Sequence, residues 1–501
     1  MTIFGEWTTR NIRFLTISKV QLLMTETPML GSILDPHGSG TLSDRIYAAL
    51  RERIVSARLV AGDRLPPTRK LAEELGVSRT TVVAAYDQLA AEGFVQGRTG
   101  SGIYVSEIGE VENVAAARCI PATGQQESRH QRPHRPFLPG QPDLRLFPHR
   151  HWARSVARVA RMDPQALVRT DDAFGDTTLR QEICRYLDEW RSLSTAPSQV
   201  LITAGAMEGL ELCARTLLDA NDAVLLENPG YPPLRHFASS LKIPIQWLGR
   251  DAHGAIPQKG NDKGNGSRLA VLTPSSQFPL GGAMPLARRN AFLEWAAANR
   301  AWIVEDDYDS EFRYAGRPIP ALAGLDGKER TLYVGSFAKV FSNGLRLGFV
   351  VVPSHLVPRF HETIVRFGSK ASAMPQRPLA LFMRDGEFYR HIRRVRRIYS
   401  ERRKSLVELL HTHLGKLASF EDHNAGMHIA VELPGNLPDK VVADETARSG
   451  VSCIPLSNYY AQPRTGNGLA LGFCAYTPDE MRSAMIRLKR AIDSVADRSG
   501  I

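Results

Sequence analysis

The stretch Thr331–Val352, TLYVGSFAKVFSNGLRLGFVVV, sets three side chains of complementary chemistry in a turn between two apolar runs. Lys339 offers an amine, Ser336 a hydroxyl and Arg346 a fixed cation. The flanking runs Thr331–Val334 and Leu347–Val352 read as buried strands. A lone Lys in such a loop is ordinarily a solvated surface charge. Its chemical alternative is a Schiff base with a carbonyl cofactor, which requires an unprotonated amine. Burial and a neighbouring cation such as Arg346 would each favour that state. Ser336 and Arg346 would then hold a phosphate, the guanidinium through a charge-assisted fork.

These residues need a scaffold, and the pattern around them supplies one. Apolar runs at Val200–Thr203, Ala223–Glu227, Leu269–Thr273 and Trp302–Glu305 alternate with helical periodicity. Runs without polar alternation fit strands buried on both faces of a mostly parallel α/β sheet. Ligands of such sheets sit at the carboxyl ends of the strands. There Gly205, Ala206 and Met207 open a helix whose free N–H groups form an anion site, or simply a strand–helix turn. Tyr231 could lie flat on a pyridine ring, or pack in the core. Asp306 and Tyr308 end the run Trp302–Glu305. A carboxylate there would keep a pyridine nitrogen protonated and the Tyr308 hydroxyl would bond the ring's phenolate oxygen. The alternative is a solvated acidic loop.

Residues 39–106 read differently. Leu42, Ile46, Leu50 and Ile54 recur at helical spacing. Pro66 and Pro67 interrupt, Thr68 is placed to cap a helix over Arg69–Leu75, and Gly76 ends it. Ser78 caps a third helix, Arg79–Glu92, and Gly93 stops it. Short strands at Phe94–Gln96 and Ile103–Val105 flank a glycine-rich wing tip. Two helices on a short glycine turn form a helix-turn-helix, mainly α with a β wing. Arg79, Thr80 and Thr81, behind Ser78, occupy the turn that reaches base edges. Arg69 and Arg98 suit phosphate contacts on double-stranded DNA, and Ser78 and Ser101 are further candidate DNA-binding residues. Nine basic residues face seven acidic ones over Thr41–Val105, so two copies are expected to act together.

The chain has 501 residues, a net charge of +11 and 43% hydrophobic content, which allows two or three domains with sizeable cores. Five scattered cysteines without metal-ligand spacing read as reduced cytosolic thiols, and no metal site is expected. No apolar run approaches the roughly 18 residues of a membrane span. Residues 1–38 read as a disordered leader or as translation assigned from an early start, with Met24 and Met29 as alternatives. Residues 107–135, rich in Gln, Arg, His and Pro, read as a flexible linker, and residues 136–495 as the large domain. The basic run Arg390–Lys404 reads as a solvated helix face rather than an auxiliary DNA contact.

Two resemblances join these readings. GDRLPPTRxLA, GVSRTTVxxAYxxLxxxG and RxGSGxxV resemble the winged helix of the GntR family of bacterial repressors. The lysine segment is similar to that of fold-type I aminotransferases, which bind pyridoxal 5′-phosphate (PLP). FLPGQPDLRLFP from Phe137, GxxxLR ending at Arg180, TxGA from Thr203, ExPGY ending at Tyr231, TPSSQFP from Thr273, EDDYDSEFRY from Glu305 and Lys339 together resemble the MocR subfamily. Its members fuse a GntR-type module to an aminotransferase-like PLP domain. The resemblance implies that Lys339 carries the PLP Schiff base, Asp306 faces the pyridine nitrogen and Tyr308 bonds O3′. It implies that Tyr231 stacks on the ring, that Ser336, Arg346 and Gly205–Met207 hold the phosphate, and that the protein is a head-to-tail homodimer. It further implies a cytoplasmic regulator that binds an operator and senses PLP or a PLP-reactive amine. The other reading is an active aminotransferase with a fused DNA module. Two departures bear on that choice. Ser276 stands where the family has His, and Ala470 stands where aminotransferases carry the Arg that grips a substrate carboxylate. Arg464 is the nearest basic residue in sequence.

Overall fold

A computed structural model describes residues 40–98, 100–107, 135–169, 172–258, 266–415, 417–462 and 465–498. The chain divides into two compact units. The expected leader, nearly all of the linker, Cys119 and Arg464 lie outside the described residues.

In the N-terminal unit, α1 (Leu42–Val55) is capped by Thr41 in a reciprocal box with Asp44. It buries Ile46, Leu50 and Ile54 but leaves Leu42 exposed. Helix α2 (Thr68–Leu75) starts at Thr68, not after it. Pro67 holds the cap position without a side-chain bond, so Thr68 is the first helical residue and not the expected cap. Gly76, at φ +64°, ends α2 in the left-handed region. Ser78 caps α3 (Arg79–Ala91) by accepting from the Thr81 N–H. Strands β1 (Val95–Arg98) and β2 (Gly102–Val105) pair antiparallel as the wing. Leu71, Val82, Ala85 and Leu89 fill the core, and the buried Tyr86 donates to the Pro66 carbonyl at 2.9 Å.

The large unit begins with α4 (His149–Met162) and α5 (Thr177–Arg191). The chain then alternates through β3 (Val200–Thr203), α6 (Ala206–Leu217), β4 (Ala223–Glu227), α7 (Pro232–Ser240) and β5 (Ile245–Leu248). A two-residue hairpin, β6 (Arg250–Asp251) and β7 (Gly254–Ala255), precedes β8 (Ser267–Leu272) and α8 (Leu286–Asn299). Next come β9 (Trp302–Asp307), the short α9 (Leu322–Leu325), β10 (Thr331–Ser336) and β11 (Gly348–Val351). The seven-stranded sheet runs β3-β11-β10-β9-β8-β4-β5. Strand β11 is antiparallel to both neighbours, and the other pairings are parallel. Every residue of β3, β4 and β11 is buried, as continuous apolar runs require.

Helices α10 (Val357–Phe367), α11 (Gln376–Arg384) and α12 (Glu387–Leu414) lead to the C-terminal part. There β12 (Ser419–Phe420), β13 (His428–Glu432), α13 (Asp439–Arg448), β14 (Ile454–Pro455), β15 (Gly468–Gly472) and α14 (Pro478–Arg498) follow. Their antiparallel sheet has the order β12-β13-β15-β14. The basic run on α12 is not one solvated face. Arg393, Arg394, Arg397 and Lys404 are exposed, but Arg402 and Arg403 are buried. They share a face with Tyr399 and Leu406. Arg402 pairs with Asp143 at 2.8 Å and Arg403 with Asp422.

Candidate functional site

One cavity of about 950 Å³ lies at the carboxyl ends of the large sheet's strands. It is lined by Gly205, Ala206, Met207, Tyr231, Asp306, Tyr308, Ser336, Lys339 and Arg346. All nine residues singled out in the large domain thus meet on one surface.

The end suited to an anion is built from two connections, the β3–α6 turn and the β10–β11 loop. Gly205, at φ +98°, caps α6, and a Cβ placed there would meet no atom within 4 Å. The N–H groups of Ala206 and Met207, in the first turn, have no intrahelical partner. Gly348 makes this turn possible: a Cβ on it would lie 2.8 Å from the Gly205 carbonyl carbon. Ser336 ends β10, and Arg346, exposed and left-handed at φ +50°, leads into β11. Because β11 is antiparallel to β10, this loop leaves and re-enters the sheet at one end, which returns Arg346 to Ser336.

Lys339 sits within that loop and donates from Nζ to the Gly140 carbonyl at 2.7 Å. Gly140 is left-handed at φ +71°, and a Cβ there would come within 2.8 Å of Nζ, so glycine lets the backbone approach without displacing the amine. Burial lowers the amine's pKa, opposed by Asp309, Cys474 and Asp306. Burial is the cause of that lowering, and the expected help from Arg346 is not seen: its charge acts on Tyr231 instead.

Strand alternation sorts the three acids of β9. Glu305 and Asp307 face the buried Arg191, at 3.7 and 2.8 Å. Asp306 faces the cavity instead, and its buried Oδ1 has no hydrogen-bond partner among the described residues. Burial, then Asp307, pushes its pKa up to about 7, with Lys339 pulling the other way. The acidic triplet is therefore buried, not a solvated loop. Tyr308 follows Asp306 into the cavity and lies 3.3 Å from the Ser276 hydroxyl. Burial holds its phenol protonated.

Phe278 stands in the TPSSQFP motif but carries no role in the sequence reading, yet its ring touches much of the site. Its ring meets Tyr459, Tyr308, Tyr231 and His428 edge-on, with centroids 5.2, 5.4, 5.7 and 5.9 Å away. Ala470 lies in the middle of β15, fully buried with Leu456 and Tyr459, and Phe278, Leu280 and Ile454 pack on them. Ala470 is thus a core residue at the position where an aminotransferase carries its carboxylate-binding Arg, and of this cluster Phe278, Ile454 and Tyr459 also line the cavity.

In the N-terminal unit, Arg69, Ser78, Arg79, Thr80, Arg98 and Ser101 are exposed and Thr81 is half-buried. The Ser78 hydroxyl lies 2.7 Å from those of Thr80 and Thr81. Arg79 Nε donates to Thr68 at 3.4 Å. In the wing, Arg98 stacks on Tyr104 with 4.8 Å to the ring centroid, and Ser101 bonds the Tyr104 hydroxyl at 2.6 Å. Tyr104 therefore orients two exposed polar groups, a role the sequence reading missed.

Residues 42–105 match the family described as bacterial regulatory proteins, gntR family, and residues 141–490 match aminotransferase class I and II. The chain is 35% identical over 480 residues to a probable rhizopine catabolism regulatory protein MocR of Rhizobium meliloti. That match covers 92% of this chain and 95% of the relative. The chain belongs to the MocR subfamily of GntR-type transcriptional regulators. This MocR-type chain is also 32% identical to the HTH-type pyridoxine biosynthesis transcriptional regulator PdxR of Corynebacterium glutamicum, over 92% of its length and 98% of that protein's. Its large unit resembles an α-aminoadipate aminotransferase of Thermus thermophilus solved with N-(5′-phosphopyridoxyl)-L-leucine. The TM-score is 0.65 at 25% identity, covering 72% of this chain and 92% of that one.

Proposed function

We propose that this regulator binds PLP in the large unit and senses PLP itself or a PLP-reactive amine, while the winged helix binds an operator. The observation that carries the reading is the meeting, in one cavity, of a buried lysine amine, an unpartnered buried carboxylate and a helix-turn anion site. A bound PLP fits those features: Lys339 would hold its carbonyl carbon, Asp306 its ring nitrogen and Tyr308 its phenolate oxygen. Gly205–Met207, Ser336 and Arg346 would hold its phosphate, and Tyr231 would cover its ring. When bound, PLP supplies an electron sink and an electrophilic carbon. A relative named for pyridoxine biosynthesis and a structural neighbour holding a phosphopyridoxyl amino acid support this ligand class.

Sensing is favoured over turnover by Ala470. Transamination needs an amino acid fixed in one orientation, and the α-carboxylate is the handle for it. Ala470 offers neither charge nor fork. In the winged helix, Arg79 is placed for base edges, Arg69 and Arg98 for phosphates, and two copies share an operator. The domain limits 39–106, 107–135 and 136–495, the head-to-tail homodimer and a cytoplasmic location belong to the same proposal.

Gel-shift titrations at fixed salt test it. Operator affinity is expected to change with PLP occupancy, while common α-amino acids yield no keto acid and no pyridoxamine phosphate. Pyridoxamine phosphate forming at an enzyme-like rate overturns the sensor reading. Arg79→Ala is expected to cost about 1–3 kcal/mol on the operator alone, and Arg98→Ala to weaken all duplexes alike.

A further inference from the structure

One polar group of the cavity has no part in holding the cofactor. His428 opens β13 and lines the cavity beside Met427. Its Nε2 lies 2.7 Å from the Pro279 carbonyl oxygen. A carbonyl can only accept, so Nε2 carries the proton. Burial lowers the ring's pKa and Lys339 lowers it further, against the pull of that carbonyl. The ring is therefore neutral, and Nδ1 is a bare acceptor. The edge of Phe278, 5.9 Å away, helps fix the ring's orientation.

We propose that His428 is a specificity-determining residue whose Nδ1 selects, as effector, a primary amine bearing a neutral hydroxyl: an amino alcohol. The proposal rests on the PLP reading above. Three features of the cavity converge on this class. Ala470 withholds the Arg that grips an α-carboxylate in aminotransferases, and the Nδ1 lone pair repels a carboxylate placed against it. Besides His428, the lining carries Arg235, His236, Lys339, Arg346 and Lys440, with Asp306 as its one carboxylate. That charge balance disfavours a second ammonium. A hydroxyl on the amine donates to Nδ1 without adding charge. A site that accepts from a hydroxyl discriminates against an analogue lacking it, because its own acceptor then loses that partner.

The probes are four amines of matched length: ethanolamine, n-propylamine, ethylenediamine and glycine. Each is titrated into the PLP-loaded full-length protein, and the midpoint of the change in cofactor absorbance is read. Ethanolamine is expected to act at about tenfold lower concentration than the other three, the value of one hydrogen bond. His428→Phe should erase that preference while keeping the cofactor band. Two further variants separate reading from bracing. His428→Asn keeps an acceptor near the Nδ1 position but loses the reach to Pro279, and should retain the preference. His428→Gln keeps the donor to Pro279 but loses the acceptor, and should not. The opposite pattern, rescue by Gln and not by Asn, makes His428 a brace for the Pro279 turn and overturns the proposal. So does wild-type protein that binds PLP but shows no preference for ethanolamine, a result that needs no variant to fold. Wild-type protein without any cofactor band overturns the PLP reading itself, and the His428 proposal with it.

Discussion

The two ends of the cavity are built on opposite plans. The anion end is made of backbone N–H groups, Ser336, Arg346 and Lys339, with glycines at 140 and 348 that allow close approach. The far side is lined by Phe278, Ile454, Tyr459 and His428, with Leu456 and Ala470 packed behind them. One end is dense in polar groups, whereas the other is shaped chiefly by ring packing, with His428 as a polar group within it. The difference separates holding a cofactor from orienting a substrate. An aminotransferase needs both, and the residues gathered in this cavity fit the first.

The largest expected effect falls on the anion end. Lys339→Ala should abolish the absorption band at roughly 400–430 nm that PLP gives when joined to a lysine. A borohydride-trappable adduct persisting in that variant would assign the role to another lysine. Arg346→Ala should weaken PLP binding by about 1.5–3 kcal/mol, the range for a charge-assisted hydrogen bond, in a fluorescence titration. An unchanged affinity would leave the phosphate to the Gly205–Met207 turn and Ser336.

Asp306 gives a pH signature. Its folded pKa of about 7 lies above the ordinary 3.8, so without PLP the folded chain binds this proton more tightly than the unfolded chain. Stability should therefore fall as pH rises from about 4 to about 7, and this contribution should level off above. Asp306→Asn should flatten the profile by on the order of 1–3 kcal/mol, read from thermal unfolding of the PLP-free protein. It should also weaken PLP binding. The smallest effect belongs to the far side. Tyr459→Phe should shift PLP affinity by less than about 0.5 kcal/mol, as for a change remote from any charged contact. A larger loss would join the two ends into one binding surface.

The contrast also explains what could be read from the sequence. Ser336, Lys339 and Arg346 lie in one short loop, and Gly205–Met207 and the acids of β9 sit directly at strand ends. Their motifs are local, so the sequence carried them. Gly140, Phe278 and His428 act across long separations: the first two stand in recognisable motifs that do not reveal their partners, and nothing near His428 marks its role. The edge strand Ile245–Leu248 escaped notice because its four residues mix Gln with apolar types. Arg402 and Arg403 looked solvated because their partners, Asp143 and Asp422, lie in other segments. Charge density in a helix does not reveal which residues turn inward.

The antiparallel setting of β11 has a consequence for how the site assembles. Because β10 and β11 form a hairpin, the backbone around Ser336, Lys339 and Arg346 is set by pairing between neighbouring stretches of chain, although the Lys339 amine is met by the distant Gly140. Asp306, Tyr231 and His428 reach the cavity only through long-range pairing of distant strands. Loop closure is less costly and faster for the local part. The lysine-bearing hairpin is thus the low-contact-order part of a high-contact-order domain. Its three polar residues are neighbours along the chain, whereas the carboxylate and the rings depend on the wider sheet.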